Sequence, residues 1–211
     1  MTSEESVKLV EQYCKSMGKV VIVCKDRPGF VVNRFFVPWL NEACLLLEEG
    51  VGTAAQIDAV SRKSFDIGMG PFALMNLTGP PIALHSTDYL AEQLETPRYR
   101  GASNLRKLVE EGRMWDIDGP EDCDQETSKV ISERLLGQVF SVSSQIVEEG
   151  VCSMEDVDRG AKVGLRWAKG PFEIANEIGM SNASRMASNY SDMANIEVPA
   201  WFINRKEKFK F

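Results

Sequence analysis

The chain predicts an all-α protein built from one helical unit used twice, and three observations lead there. Arg34, Glu48-Glu49-Gly50-Val51, Asp58, Gly70-Pro71-Phe72, Asn76 and Gly79 recur one hundred residues later as Arg134, Glu148-Glu149-Gly150-Val151, Asp158, Gly170-Pro171-Phe172, Asn176 and Gly179. Aligning 33–79 with 133–179 without a gap gives 11 identities in 47 positions, with similar pairs at Ile57/Val157, Arg62/Lys162 and Leu74/Ile174. Apolar residues recur at helical spacing through most of the chain, and a single stretch reads as a strand. Two copies fall short of a solenoid, which needs about three units to bury its core. The expected arrangement is therefore one helical unit duplicated and packed against itself.

Each element has a local reason. Residues 4–17 form an amphipathic helix with Val7, Val10, Cys14 and Met17 on one face, closed by Gly18. Lys19-Val20-Val21-Ile22-Val23-Cys24 is a β-branched run bounded by Gly18 and Pro28-Gly29, the pattern of a buried strand. A lone strand cannot satisfy its own backbone, so 1–24 reads as the torn edge of an α/β domain. From Phe30 to Glu49 the chain is apolar almost all round, which marks a buried central helix. Pro38 cannot donate to the Arg34 carbonyl and is expected to kink it. Thr53 with Gln56 makes a capping box for a helix to about Ser64, mirrored from Ser153. Pro71 and Pro171 open short helices ended by Gly79 and Gly179. Further helices follow at Pro80 to Leu94 and Leu105 to Glu111. The boundaries expected are repeat one at 25–112, an acidic solvated linker at 113–127, repeat two at 128–194, and a charged tail at 195–211 leading into an absent region.

Composition narrows the function. The 211 residues carry a net charge of −7 and 44% hydrophobic residues, an ordinary soluble composition without the basic face that nucleic acid or an anionic membrane requires. No apolar run is long enough to span a bilayer. The five cysteines lack paired spacing, which suits free thiols in a reducing cytoplasm. The single histidine, His85, has no metal-ligand spacing, so it reads as a surface or packing residue, and no metal is expected.

Motifs separate into structural and chemical ones. Gly68-Met69-Gly70-Pro71-Phe72-Ala73 fits G-x-G-x-x-A formally, but no strand precedes it, Pro71 removes an N–H, and the second copy reads Ala168-Lys169-Gly170-Pro171-Phe172-Glu173. It is read as a structural turn. Asp116-Ile117-Asp118-Gly119-Pro120-Glu121-Asp122 lacks the ligand alternation of a calcium loop. Asn33 and Arg34 are different, because they lie in the first turns after Pro28-Gly29, beside the expected strand end where ligands of α/β domains collect. Arg34 is kept in the second copy, which points to pairing with a helix-end carboxylate or carbonyls. Asn33 becomes Glu133, which points to a task only the first copy performs. An amide offers both donor and acceptor to an oxygen that changes charge; the alternative is a buried amide bonded to backbone.

The run Lys25-Asp26-x-Pro28-Gly29-Phe30-Val31-Val32-Asn33-Arg34-Phe35-Phe36-Val37-Pro38-Trp39-Leu40-Asn41-Glu42-Ala43, followed by Gly50, Ile57-Asp58 and Gly68-Met69-Gly70-Pro71-Phe72, resembles the C-terminal helical domain of 3-hydroxyacyl-CoA dehydrogenases. The resemblance covers about 4–112, and 128–190 resembles a diverged unit of the same kind. Such pairs are typical of multifunctional fatty-acid β-oxidation enzymes. It implies a fold like the C-terminal domain of 6-phosphogluconate dehydrogenase and oxidation of 3-hydroxyacyl-CoA with NAD. The NAD, a catalytic His–Glu pair and a serine belong to a Rossmann domain with no matching positions here. Only the motif's asparagine carries over, onto Asn33, facing an acyl-CoA substrate. The isolated chain is thus expected to be inactive without its NAD-binding domain and to hold no cofactor of its own. Single-unit members dimerise through this domain, which implies that the helix at 30–49 packs beside its counterpart at about 129–149 as an internal pseudo-dimer, compatible with a monomer. The alternatives are a non-catalytic helical interaction module and one half of a split dehydrogenase.

Overall fold

The repeat in the sequence is a repeat of helices. The computed structural model describes residues 2–211. Repeat one holds α2 (Val32–Glu48), α3 (Ala54–Phe65), α4 (Pro71–Thr78) and α5 (Pro80–Gln93). Repeat two holds their counterparts α7 (Gln125–Glu148), α8 (Met154–Gly164), α9 (Pro171–Ile178) and α10 (Met180–Ala194). Preceding them is α1 (Glu4–Ser16), α6 (Ser103–Glu110) lies between the repeats, and α11 (Ala200–Ile203) follows. The fold is all-α.

The N-caps read from the sequence at Thr53 and Ser153 are made. Thr53 and Gln56 bond reciprocally at the start of α3, and Ser153 caps α8. Gly50 and Gly150, both at positive φ, close α2 and α7, where only glycine avoids a Cβ penalty.

Helices α2 and α7 pack against each other at the centre, with α5 on α2 and α10 on α7. Phe35, Trp39 and Leu46 of α2 and Leu135, Val139 and Ile146 of α7 are fully buried. The core crosses the boundary between repeats: Trp167 of repeat two meets Phe35, Trp39 and Phe65 of repeat one at ring distances of 5.7, 5.8 and 4.8 Å. Through Pro38 the helix α2 runs on to Glu48, and the Gln138 amide of α7 donates to the neighbouring Phe35 carbonyl at 3.1 Å.

One expectation is corrected. Residues 19–24 form no strand, and no strand exists among the described residues. The segment is extended: Ile22 and Cys24 lean on the core, Val20 and Val23 face outward, and Lys25 N–H bonds the Val151 carbonyl at 3.0 Å. The β-branched run has extended propensity, but no neighbouring strand offers the hydrogen-bond ladder that would make it a sheet. Likewise α1 buries no residue. The acidic stretch 113–127 is largely exposed, and it and the charged tail are each anchored on the repeat that precedes them. Asn76 brackets Trp115 with two backbone bonds of 2.9 Å, and its counterpart Asn176 brackets Phe209 at 3.0 and 2.7 Å. Trp115 then sits on Phe72 and Phe209 on Phe172. The repeated asparagine is thus a clamp that returns the chain onto its own unit, and burial of an aromatic outweighs the polarity of its flanking residues.

Candidate functional site

Pro28-Gly29-Phe30 turns the chain into α2 and builds one wall of a cleft. Gly29 has φ +77°, and a Cβ there would lie 2.9 Å from the Arg34 backbone, so the turn requires glycine. Phe30 also sits at positive φ, 47°, and is exposed, a strained conformation of the kind that collects at binding sites. Directly after this turn Asn33 projects from the first turn of α2. It is exposed, so the alternative of a buried amide bonded to backbone does not describe it.

The cleft holds about 500 Å³. Its first wall is Asp26 to Phe30 with Asn33 and Val37; its second is one face of α5, His85, Ser86, Tyr89, Leu90 and Gln93. Positions 85, 86, 89 and 93 lie on a single helical face. His85, read from the sequence as a surface or packing residue, therefore stands in the same cleft as Asn33.

A second hollow of about 620 Å³ opens on the other side of Arg27 and Pro28, between the repeats. Arg34 lies in its wall, buried, with Nη2 donating to Glu149 Oε1 at 2.5 Å. Arg34 Nε and Nη1 have no hydrogen-bond partner among the described residues. The counterpart Arg134 donates Nη2 to Glu49 at 2.7 Å and Nη1 to the same carboxylate. Glu49 and Glu149 are the C-terminal caps of α2 and α7. Each repeat's arginine thus reaches the other repeat's glutamate, the helix-end carboxylate expected for it.

A charged cluster unforeseen from the sequence lies beside this contact. Glu42, 1% exposed, accepts from Arg134 Nε at 2.5 Å, Arg98 Nε at 3.1 Å and the Tyr190 hydroxyl at 3.0 Å. Burial and then the Glu42 charge push the Tyr190 hydroxyl well above its ordinary range. The cluster exists once, since position 142 is valine. Its one signal in the sequence is a carboxylate inside an otherwise apolar helix.

The glycine pattern at 68–73 has a structural use. Asp58 accepts Phe72 N–H and Ala73 N–H at 2.8 Å each, and Asp158 accepts Phe172 N–H and Glu173 N–H at 2.9 and 3.0 Å. A Cβ on Gly70 or Gly170 would lie 2.4 or 2.3 Å from these carboxylates' own residues. The N-termini of α4 and α9, where a dinucleotide phosphate would sit in such a motif, are therefore occupied by the protein's own side chains, and this motif does not fit a dinucleotide phosphate. Burial raises the Asp158 carboxyl to about 7 against the two N–H donors, and raises Asp58 as well. Among the described residues no cluster of metal-ligating side chains occurs, and no helix is long and apolar enough to cross a membrane.

Comparison with known proteins adds the lineage. The family model of the 3-hydroxyacyl-CoA dehydrogenase C-terminal domain matches residues 29–119 and again 131–201, one match per repeat. A probable 3-hydroxybutyryl-CoA dehydrogenase of Deinococcus radiodurans is 35% identical over 118 residues, 56% of this chain and 42% of that protein. The alpha subunit of the fatty acid oxidation complex of Idiomarina loihiensis is 27% identical over 227 residues, covering 92% of this chain and 32% of the subunit. The chain thus spans about two fifths of the first relative and about a third of the second. The crystal structure of 3-hydroxybutyryl-CoA dehydrogenase from Escherichia coli K12 superposes with a TM-score of 0.82 over 97% of this chain and 65% of that one. At 17% identity, that likeness speaks for the fold alone.

Proposed function

The chain belongs to the 3-hydroxyacyl-CoA dehydrogenase family through that family's C-terminal domain, and from this premise we propose that it forms the substrate side of an NAD-dependent enzyme oxidising 3-hydroxyacyl-CoA to 3-oxoacyl-CoA in fatty-acid β-oxidation. The observation that carries the reading is Asn33, exposed at the mouth of the cleft after a turn that requires glycine. Oxidation converts the C3 hydroxyl to a carbonyl, and one amide can accept from the first and donate to the second. Since Asp58 and Asp158 take the N–H groups a phosphate would need, the dinucleotide is assigned to a separate domain or polypeptide working in the cytoplasm. The apolar residues Leu9, Tyr13, Met17, Val20 and Val23, all exposed on α1 and the extended segment, are the surface on which that partner would dock.

The reciprocal exchange Arg34–Glu149 and Arg134–Glu49 supports reading the two repeats as an internal pseudo-dimer, because an isologous contact pairs i with j and j with i. Repeat two is then the partner subunit folded into the same chain, and a monomer is sufficient.

The test is to follow NADH oxidation with acetoacetyl-CoA. The purified chain alone should give no turnover, and addition of an NAD-binding domain of this family should restore it. Asn33→Ala should lower the restored rate by roughly 10²-fold, the cost of one oxyanion donor, while leaving the unfolding midpoint in place because the side chain is exposed. Turnover by the chain alone would refute the division of labour. A partner domain that binds without restoring activity would favour a non-catalytic interaction module.

A further inference from the structure

The two repeats differ at the cleft in a way that points to a second residue. The counterparts of Asn33 and His85 in repeat two are Glu133 and Arg185. Those side chains meet in a two-pronged ion pair at 2.9 and 2.8 Å. The corresponding hollow, between α7 and α10, is reduced to about 180 Å³ against about 500 Å³ between α2 and α5. Positions 33 and 85 therefore stand across the cleft within reach of two side chains that meet. In repeat one that contact is absent: Asn33 and His85 are both exposed. Where repeat two spends these positions on closing the gap, repeat one leaves an amide and an imidazole facing it, each offering a donor and an acceptor.

We propose that His85 is a binding residue of this cleft, and that Asn33 and His85 hold the oxygenated end of a 3-oxoacyl or 3-hydroxyacyl thioester between them, in the place that the Glu133–Arg185 pair fills in repeat two. The proposal rests on the reading of the cleft as a substrate site. Ser86 and Tyr89 extend the same polar wall along α5, and Val37 and Leu90 supply its apolar floor, the mixture expected where a short acyl chain carrying an oxygen is received.

His85 is the only histidine, so its imidazole proton signal is unambiguous by NMR in the full chain. Acetoacetyl-CoA should move that signal saturably, and free CoA should not. Affinity followed on the acyl methyl signal of the ligand should fall roughly tenfold in Asn33→Ala and in His85→Ala, the weight of about one hydrogen bond. The double variant Asn33→Glu with His85→Arg, which imports the closure of repeat two, should lose binding altogether with no drop in unfolding midpoint. Full affinity in His85→Ala beside weakened binding in Asn33→Ala would overturn the role of His85 and leave the substrate site standing. An equal response to free CoA would overturn the assignment to the acyl end. Absence of any shift in the unaltered chain would sink the site and the inference together.

Discussion

Asp158 illustrates how a single residue can set a pH response. Its carboxylate caps α9 through two backbone N–H groups, yet burial holds its folded-state pKa up at about 7, against an ordinary aspartate value of about 4. Below about pH 4 the group is protonated in both states and its contribution is complete. Between there and about pH 7 the unfolded chain ionises while the folded chain keeps the proton, so stability is lost as pH rises through this window. The unfolding midpoint should therefore decline between mildly acidic and neutral pH, and Asp158→Asn should flatten that slope. Glu49 and Glu133, held low by hydrogen bonds from Arg134 and Arg185, act with the opposite sign, but in the more acidic range where carboxylates ordinarily titrate. At this scale the role proposed for Asn33 rests on a difference the sequence displays, an amide lost in the second copy. The role proposed for His85 has no such mark, since Asn33 lies 52 residues earlier in the chain and no local pattern links them.

At the scale of elements, the contact between α2 and α7 is held by buried charge as well as by apolar packing. Glu42 collects two arginines and a tyrosine from three separate segments. Removing one member of such a set leaves the others buried without compensation, typically 3–5 kcal/mol. Glu42→Ala should therefore lower unfolding stability in urea by about that amount, since Arg98 would lose its carboxylate and Arg134 would keep only Glu49. Exchanging the exposed Lys169–Glu177 pair for alanines should change it by no more than about 1 kcal/mol, which makes a useful control. The helices themselves were legible: caps at Thr53, Ser153, Gly50 and Gly150 act within a turn or two of chain. The 19–24 run was misread, because extended propensity becomes a strand only when another strand is beside it.

At the scale of the whole molecule, the two repeats are separate in sequence but share one core. Trp167 of repeat two packs among Phe35, Trp39 and Phe65 of repeat one, and the arginine–glutamate pairs cross in both directions. Neither unit should hold its fold without the other. Thermal unfolding followed by helix dichroism and by tryptophan fluorescence is expected to give one coincident transition; two resolved transitions would mean that the repeats are independent. By itself the sequence determined the helices, their ends, the duplication and the position where the copies part company. All of these follow from periodicity and capping over a few residues of chain. Tertiary structure alone decided that 19–24 is no strand, that Trp115 and Phe209 are clamped, that Glu42 anchors a buried cluster, and that His85 shares a cleft with Asn33 while Arg185 closes on Glu133. Those outcomes depend on side chains brought together across tens of residues, where the energy lies in the meeting and leaves no mark on either segment alone.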